Sequence, residues 1–437
     1  MSNLATLVTK AKTDPASATA EVSAFLKTNF PDLGITDCTI NTGSKVSLNS
    51  VNGIITTQTG ERLFYKFHAE EGEQESLTAA EYYRAKILAD EGWPVIMARA
   101  VSTLPGQQCV IYPEITASTA YDLYGAQDAV FLQTGAYDEQ QKAVLLNAET
   151  DYLKKTTAII LKTLQPGDAK NADASLHQLF SHRLHSVNNT TPRIDLFYTD
   201  HPVILPNGST INFDELAQKK FVINGVAYPT TLADIIAKSK QHLHNESMAN
   251  QPSCISHGDD HNGNKFLIDD QFVTFDPAFG GRHPVLLGII KGLMHNGPLH
   301  PFWYYEPERV HDQLKVDMNI DSDTIYVTHN ADKVLHSPIR DAVVKLHQDL
   351  VWKPIIAHLQ EHNALPQDWE IFARCAAFCC PFLAVNMIKA DRAAQAQLSI
   401  FNLAQCVGTF HTDFFAQLVH QPKPPATSFI PKAQLTL

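Results

Sequence analysis

The chain has 437 residues, 44% of them hydrophobic and 18% charged, which places it among globular proteins of more than one lobe, since single cores stop growing at roughly 250–300 residues. Its formal charge of −12 excludes a general nucleic-acid binder, which needs a basic stripe to displace phosphate counterions, but leaves room for a small anionic ligand. No apolar core of signal-peptide length marks the N-terminus, no stretch approaches a membrane span, and the seven cysteines are scattered and odd in number, so a reduced, cytoplasmic protein with no membrane partner is expected. The oligomeric state stays open.

In chain order, residues 15–30 place Val22, Phe25, Leu26 and Phe30 at helical spacing and stop at Pro31. A strand-rich section follows: "CTINTG", "VNGIITTQ" and "ERLFYKFHA", with Thr59-Gly60-Glu61 as a turn signal. "LTAAEYYRAKILADEG" reads as an amphipathic helix ending at Gly92, and "QQCVIYPEI" returns to strand character. This order predicts a small antiparallel sheet carrying one helix, hence an α+β N-terminal lobe over residues 1–112. Residues 113–437 form the second lobe. It is helical over 139–187, carries an insertion at about 180–250 with its own strands around "VINGVAYP", and is mostly helical beyond 285. Cys375, Cys379 and Cys380 fall in the apolar run "FARCAAFCCPFLAV", which reads as a buried helix because a free thiol behaves as a small hydrophobe.

"ISHGDDHNGNKFLI", residues 255–268, is the most chemically loaded stretch. His257-x-Asp259, then four residues, then Asn264 is the spacing of a kinase catalytic loop. An aspartate there accepts or orients the proton of an attacking hydroxyl. An uncharged Asn oxygen binds Mg²⁺ without adding negative charge beside phosphates. The hairpin "KFLI-DDQ-FVTF" then returns the chain to Asp276, the expected second metal ligand. Lys66 lies inside an apolar strand, where an unpaired ammonium is costly, and suits the role of phosphate anchor. Glu81 on the next helix is its expected partner, with Glu75 as competitor. "VIYPEIT" leaves a strand as a connection between lobes should, offering the Glu114 carbonyl and Thr116 amide to an adenine edge.

Together "HGDDHNGN … FDPAFGG", "YKF", "AEYYRAKILADEGWPV" and "VIYPEI" resemble the aminoglycoside phosphotransferase and choline kinase-like group of small-molecule kinases, over roughly residues 35–125 and 250–290. The resemblance implies a bilobal, protein-kinase-like fold with ATP and Mg²⁺ in the cleft and a small-molecule hydroxyl as phosphate acceptor. It implies Asp259 as catalytic base, Asn264 and Asp276 as metal ligands, Lys66 with Glu81 at the phosphates, and His257 as a brace of the loop. His261 is also expected to be structural. Between the first two strands, Gly43 and Ser44 are the candidate phosphate contacts in a stretch without a dense glycine loop. Where that group carries an acid about ten residues after the metal-binding Asp, tying the catalytic loop to a helix, this chain reads "GGRHPVLLGIIK".

Two other functions fit parts of the pattern. A metal-dependent phosphoesterase would use the Asp-x-His of "GDDH", but needs further ligand clusters, and "THNAD" at 328–332 lacks the required run. A non-catalytic nucleotide-binding protein of the same fold would have no need of Asp259, Asn264, Asp276 and Lys66 together. The aromatic run "HPFWYYEPE" at 300–308 offers either a cation–π wall for an amine-bearing acceptor or packing between late helices, the more frequent use of such a cluster.

Overall fold

The computed structural model describes residues 4–41, 50–68, 80–102, 108–389 and 396–419. Helices α1 (Leu4–Thr13) and α2 (Pro15–Asn29) precede strands β1 (Ile35–Ile40), β2 (Ser50–Thr57) and β3 (Arg62–His68); helix α3 (Ala80–Asp90) and strands β4 (Ala100–Ser102) and β5 (Cys109–Pro113) follow. The strands form one antiparallel sheet in the order β1-β2-β3-β5-β4. The α+β expectation holds, and α1 is an addition to it. Asp14 caps α2 by accepting from Ser17 N, and Pro15 fills the first helical turn, where its missing N–H costs nothing.

Strand alternation decides which side chains meet the cleft. On β3, Leu63, Tyr65 and Phe67 are buried in a core with Val22, Phe25 and Leu26 of α2 and with Val51, Ile55, Cys109 and Ile111 of the neighbouring strands. The intervening Phe64 and Lys66 therefore face the other way, beside Asn52 and Ile54 of β2 and Tyr112 of β5. A second, larger core takes Leu88 of α3 and Trp93 together with the remainder of the chain. Helices α4 (Ala120–Thr134) and α5 (Glu139–Thr163) begin that remainder.

Strand Ser253–Ser256 pairs antiparallel with Gly281–Pro284, so the loop of residues 257–264 leaves from one end of a two-stranded ribbon and the chain returns to the same ribbon. Between them, Lys265–Ile268 and Gln271–Thr274 form the expected hairpin, turned through Asp269 and Asp270, both at positive φ. Two short stitches tie the hairpin to the segments that enter and leave the N-terminal sheet: Ile96 N donates to Thr274 O (2.8 Å), and Leu267 N to Ser118 O (3.2 Å).

The strands around "VINGVAYP" are real (Lys220–Ile223 and Val226–Tyr228), but they do not form a unit of the insertion alone. Lys220–Ile223 pairs in parallel with Thr324–His329, whose other neighbour is Val316–Ile320, giving a four-stranded sheet. The region beyond 285 is thus helical apart from this hairpin. Its alternation, Val316-x-Met318 and Ile325-x-Val327, was the signal; flanking Asp, Asn and Thr residues masked it. All seven cysteines are buried and unpaired, three of them in the helix Trp369–Ala384. Among the described residues no helix is long and apolar enough to cross a membrane.

Candidate active site

The roof of the cleft is the sheet face bearing Lys66. Its ammonium sits between two carboxylates, 2.9 Å from Glu81 of α3 and 2.7 Å from Asp276. Lys66 and Glu81 are buried, whereas the Asp276 side chain keeps 39% exposure toward the cleft. Burial alone would depress the lysine, but Asp276 and Glu81 outweigh it and hold it above its ordinary range, so it stays a cation. Tyr112 of β5 donates its hydroxyl to the Glu81 carboxylate at 2.7 Å, fixing the pair from behind. The cleft has a volume of about 430 Å³, with apolar walls from Ile54, Phe64, Ile96, Ile115, Phe266 and Phe275. A flat heteroaromatic base fits such walls, and the charged end of the cleft lies at Lys66 and Asp276.

On the other side the cleft is lined by Phe266, Phe275 and Asp276, and the loop of residues 257–264 is tied to these last two. Gly258 has φ +78°, and a Cβ there would lie 2.9 Å from the Phe279 carbonyl oxygen, so only glycine fits between His257 and Asp259. His257 is fully buried, with Nε2 3.1 Å from the Phe275 carbonyl oxygen, next to Asp276. Phe275 N donates to Asn264 O at 3.0 Å. These two links set Asp276 beside Asn264. Asn264 donates its Nδ2 to the Asp259 carbonyl (3.0 Å), which leaves the amide oxygen as the end available to a hard cation. Asp276 holds φ +52°, a conformation uncommon outside glycine, and strain of this kind concentrates at functional positions. One carboxylate and one amide oxygen suit Mg²⁺, which takes its remaining ligands from phosphates and water.

Asp259 is gripped by a residue that the sequence reading passed over. Lys291, from the all-buried helix Val285–Asn296, forms an ion pair with Asp259 Oδ1, and both side chains are largely shielded from solvent. Burial would raise the Asp259 carboxyl, but Lys291 first, then His261, outweigh it and hold the group well below the usual carboxylate range. Asp259 is therefore an anion at neutral pH, with Oδ2 3.8 Å from His261 Nε2. Burial keeps His261 below its ordinary value, and its Nδ1 accepts from Gly263 N. So acidic an aspartate orients a hydroxyl well and takes its proton only as the new bond forms, which suits phosphoryl transfer, where positioning dominates. The same helix grips the loop a second time: Asn296 Oδ1 accepts from Asn262 N at 2.7 Å. Gly292 permits this closeness, since a Cβ there would stand 3.2 Å from Asp260 O. The tie between loop and helix thus exists without the acid of the resembled group. Its legible signal was one lysine in the otherwise apolar run "VLLGIIKGL".

Asp260 turns to the opposite side. It accepts from Tyr152 Oη at 2.9 Å and lies 3.3 Å from Lys265 Nζ, and Lys265 is fully buried, 3.6 Å from Glu149 of α5. His347 Nε2 stands 3.6 Å from the same Glu149 oxygen, and the lysine lies over the Tyr152 ring. Glu81 is the acid that meets Lys66; Glu75, Gly43 and Ser44 lie outside the described residues. Glu114 lines the cleft while its carboxylate reaches outward to Arg62 (2.5 and 2.8 Å). The cleft lining on this side stops at Ile115, one residue short of Thr116. In the aromatic run, Phe302, Trp303 and Tyr304 are core residues and only Tyr305 is exposed, so packing, rather than an aromatic cage, is its use.

No protein-family model matches the chain, and no curated protein matches it in sequence. Solved structures overlap it. A glucosamine kinase is 12% identical over 83% of this chain and 84% of its own, at a TM-score of 0.42. An amicoumacin kinase in complex with AMP-PNP and Ca²⁺ is 13% identical over 91% and 99%, at 0.44. An aminoglycoside-3'-phosphotransferase of type VIII is 12% identical over 82% and 97%, at 0.38. By name these are kinases and phosphotransferases of small molecules, the group that the catalytic-loop motif resembles. Overlaps of this extent leave the chemistry to be read from the cleft itself.

Proposed function

We propose that this chain is an enzyme that moves the γ-phosphate of MgATP to a hydroxyl of a small molecule. One observation carries the reading: Lys66 of the sheet lies between Glu81 and Asp276 in the cleft, and hydrogen bonds through Phe275 bring the loop that bears Asn264 and the anionic Asp259 up beside Asp276. In this reading the apolar walls take the base, and the chain around Glu114 and Thr116 its edge. Lys66 takes the phosphates, and Gly43 and Ser44 are further phosphate contacts. Glu81 keeps the lysine aimed when Asp276 turns to the metal. Asn264 and Asp276 hold Mg²⁺, which supplies charge neutralisation across the phosphate oxygens. Asp259 orients the acceptor hydroxyl, and His257 keeps the loop in register with Asp276 through Phe275.

Among the described residues no group of three or more His, Cys, Asp or Glu stands in a metal-holding arrangement, which disfavours a two-metal phosphoesterase. The seven buried, unpaired thiols suit a reducing compartment such as the cytoplasm. The test is calorimetric titration of ATP with and without Mg²⁺, on the wild type and on Asp276→Ala. The wild type is expected to bind MgATP, and the variant to lose the metal dependence while staying folded. Unchanged Mg²⁺ dependence in Asp276→Ala moves the metal site elsewhere, and folded protein that binds no nucleotide ends the reading. ADP formation measured beside binding separates a working enzyme from a nucleotide-binding relic.

A further inference from the structure

The two oxygens of Asp259 differ in their surroundings. Oδ1 is buried and taken by Lys291, whereas Oδ2 is not shut off from solvent, on a side chain that keeps 16% exposure. Facing Oδ2 is His261 Nε2, 3.8 Å away, on a side chain that is 28% exposed. No hydrogen bond from a described residue reaches either atom. The gap is too long for a direct hydrogen bond, but one oxygen atom about 2.8 Å from each would close it at roughly a right angle.

The loop itself places the imidazole proton. His261 Nδ1 accepts from Gly263 N at 3.1 Å, so the ring carries its proton on Nε2, the nitrogen turned to Asp259. The ring lies against Gly263, where a Cβ would stand 2.9 Å from Nδ1 and from Cε1. The backbone under it is tied on both sides: His261 N donates to Asp259 O at 2.9 Å, and Asn264 N to His261 O at 2.8 Å.

A fixed donor and a fixed acceptor at this separation suit a hydroxyl, which has one proton to give and lone pairs to receive. We infer that His261 is a catalytic residue: its Nε2–H donates to the acceptor oxygen while that oxygen donates its proton to Asp259 Oδ2, which leaves the second lone pair to attack. This rests on the phosphotransferase reading. In the step, the acceptor O–H proton passes to Asp259 as oxygen bonds to the γ-phosphorus. The bond from that phosphorus to the β,γ-bridging oxygen breaks, leaving ADP and a phosphate monoester, or inorganic phosphate where water is the acceptor. A donor on the attacking oxygen blunts it little in a loose transition state, where that oxygen carries little of the bonding, and its contribution is orientation.

Water fits the same place, so the test uses the full chain with radiolabelled MgATP and water as acceptor, beside calorimetric binding of MgATP. His261→Asn keeps an acceptor for Gly263 N and withdraws the donor at Nε2, whereas His261→Gln reaches the Nε2 position with an amide N–H and gives up the bond to Gly263. Phosphate release should fall about tenfold or more in His261→Asn, the weight of one hydrogen bond, with Tm and MgATP affinity kept. In His261→Gln it should stay within about threefold of the wild type. Nitrogen-15 spectra of the imidazoles, with His261→Asn to assign the signal, should show His261 protonated at Nε2. His261→Asn no slower than His261→Gln, losses that merely follow Tm, or a proton on Nδ1 overturns the inference, as does a wild type that binds MgATP and releases no phosphate. A folded wild type that binds no MgATP overturns the phosphotransferase reading as well; normal MgATP binding with the wrong order of variants removes this inference alone.

Discussion

Asp259 and Asp260 are neighbours in sequence, and each is taken by a buried lysine, yet the two pairs lie on opposite sides of one loop. Asp259 pairs with Lys291 through one oxygen and keeps the other 3.8 Å from the His261 imidazole. Asp260 pairs with the fully buried Lys265, which joins it to Glu149, His347 and the Tyr152 ring. The two side chains are about equally shielded, 16% and 14% exposed, and what differs is their company: a lysine and an imidazole for Asp259, a lysine shared with Glu149 for Asp260. The positive φ of Gly258 and the grip of Asn296 on Asn262 turn successive side chains to different faces. In the proposed reaction the first pair would act on substrate, while the second holds the loop still.

The most damaging way to break this comparison acts on the interior pair. Lys265→Met leaves Glu149 and Asp260 without their shared cation, and uncompensated buried charge costs about 3–5 kcal/mol. A large fall in Tm is expected, with activity lost only as far as folded protein is lost. A variant that melts like the wild type would show that this network holds nothing.

Asp259→Asn should do the opposite. Its expected effect is a loss of phosphoryl transfer of at least about a hundredfold, near 2.7 kcal/mol, with MgATP affinity little changed. Asp260→Asn beside it should lower Tm and leave the rate per folded molecule close to normal. Radiolabelled phosphate transfer reads both, and a dead Asp260→Asn with an active Asp259→Asn reverses the assignment of the two sides.

A finer comparison sets the roof beside the loop. Lys66→Ala should weaken nucleotide binding and turnover, Glu81→Ala should act in the same direction, and the double variant should fall short of the sum. The coupling expected for a contacting pair is roughly 0.5–3 kcal/mol. Complete additivity would mean that the 2.9 Å contact has no part in positioning the lysine.

The cleft face of β3 was legible because alternation is a local property: Leu63, Tyr65 and Phe67 announce a buried face, and a lysine between them must find partners on the other. The loop was legible because its residue types and spacing are constrained by the chemistry they suit. Lys291 was not, although its signal was present, because a cation in an apolar helix says only that a partner exists and not which one. The pairing of Lys220–Ile223 with Thr324–His329 escaped for a related reason. Parallel strands distant in sequence carry no turn between them to reveal the partner.

That parallel pairing has a consequence for how the chain reaches its native state. Register partners Lys220 with Thr324 and Ile223 with Val327 close a loop of about a hundred residues, inside which lie the catalytic loop, Asp276 and Lys291. Closing so long a loop costs more entropy than forming a hairpin, and contacts of this separation are the slow ones in folding. On the ribosome, every residue of the proposed site emerges before the strand that completes the enclosure. A nascent chain ending near residue 310 therefore holds all the proposed catalytic residues, but leaves strand Lys220–Ile223 with an unpaired edge, the kind of surface on which chains stick to one another before they finish folding.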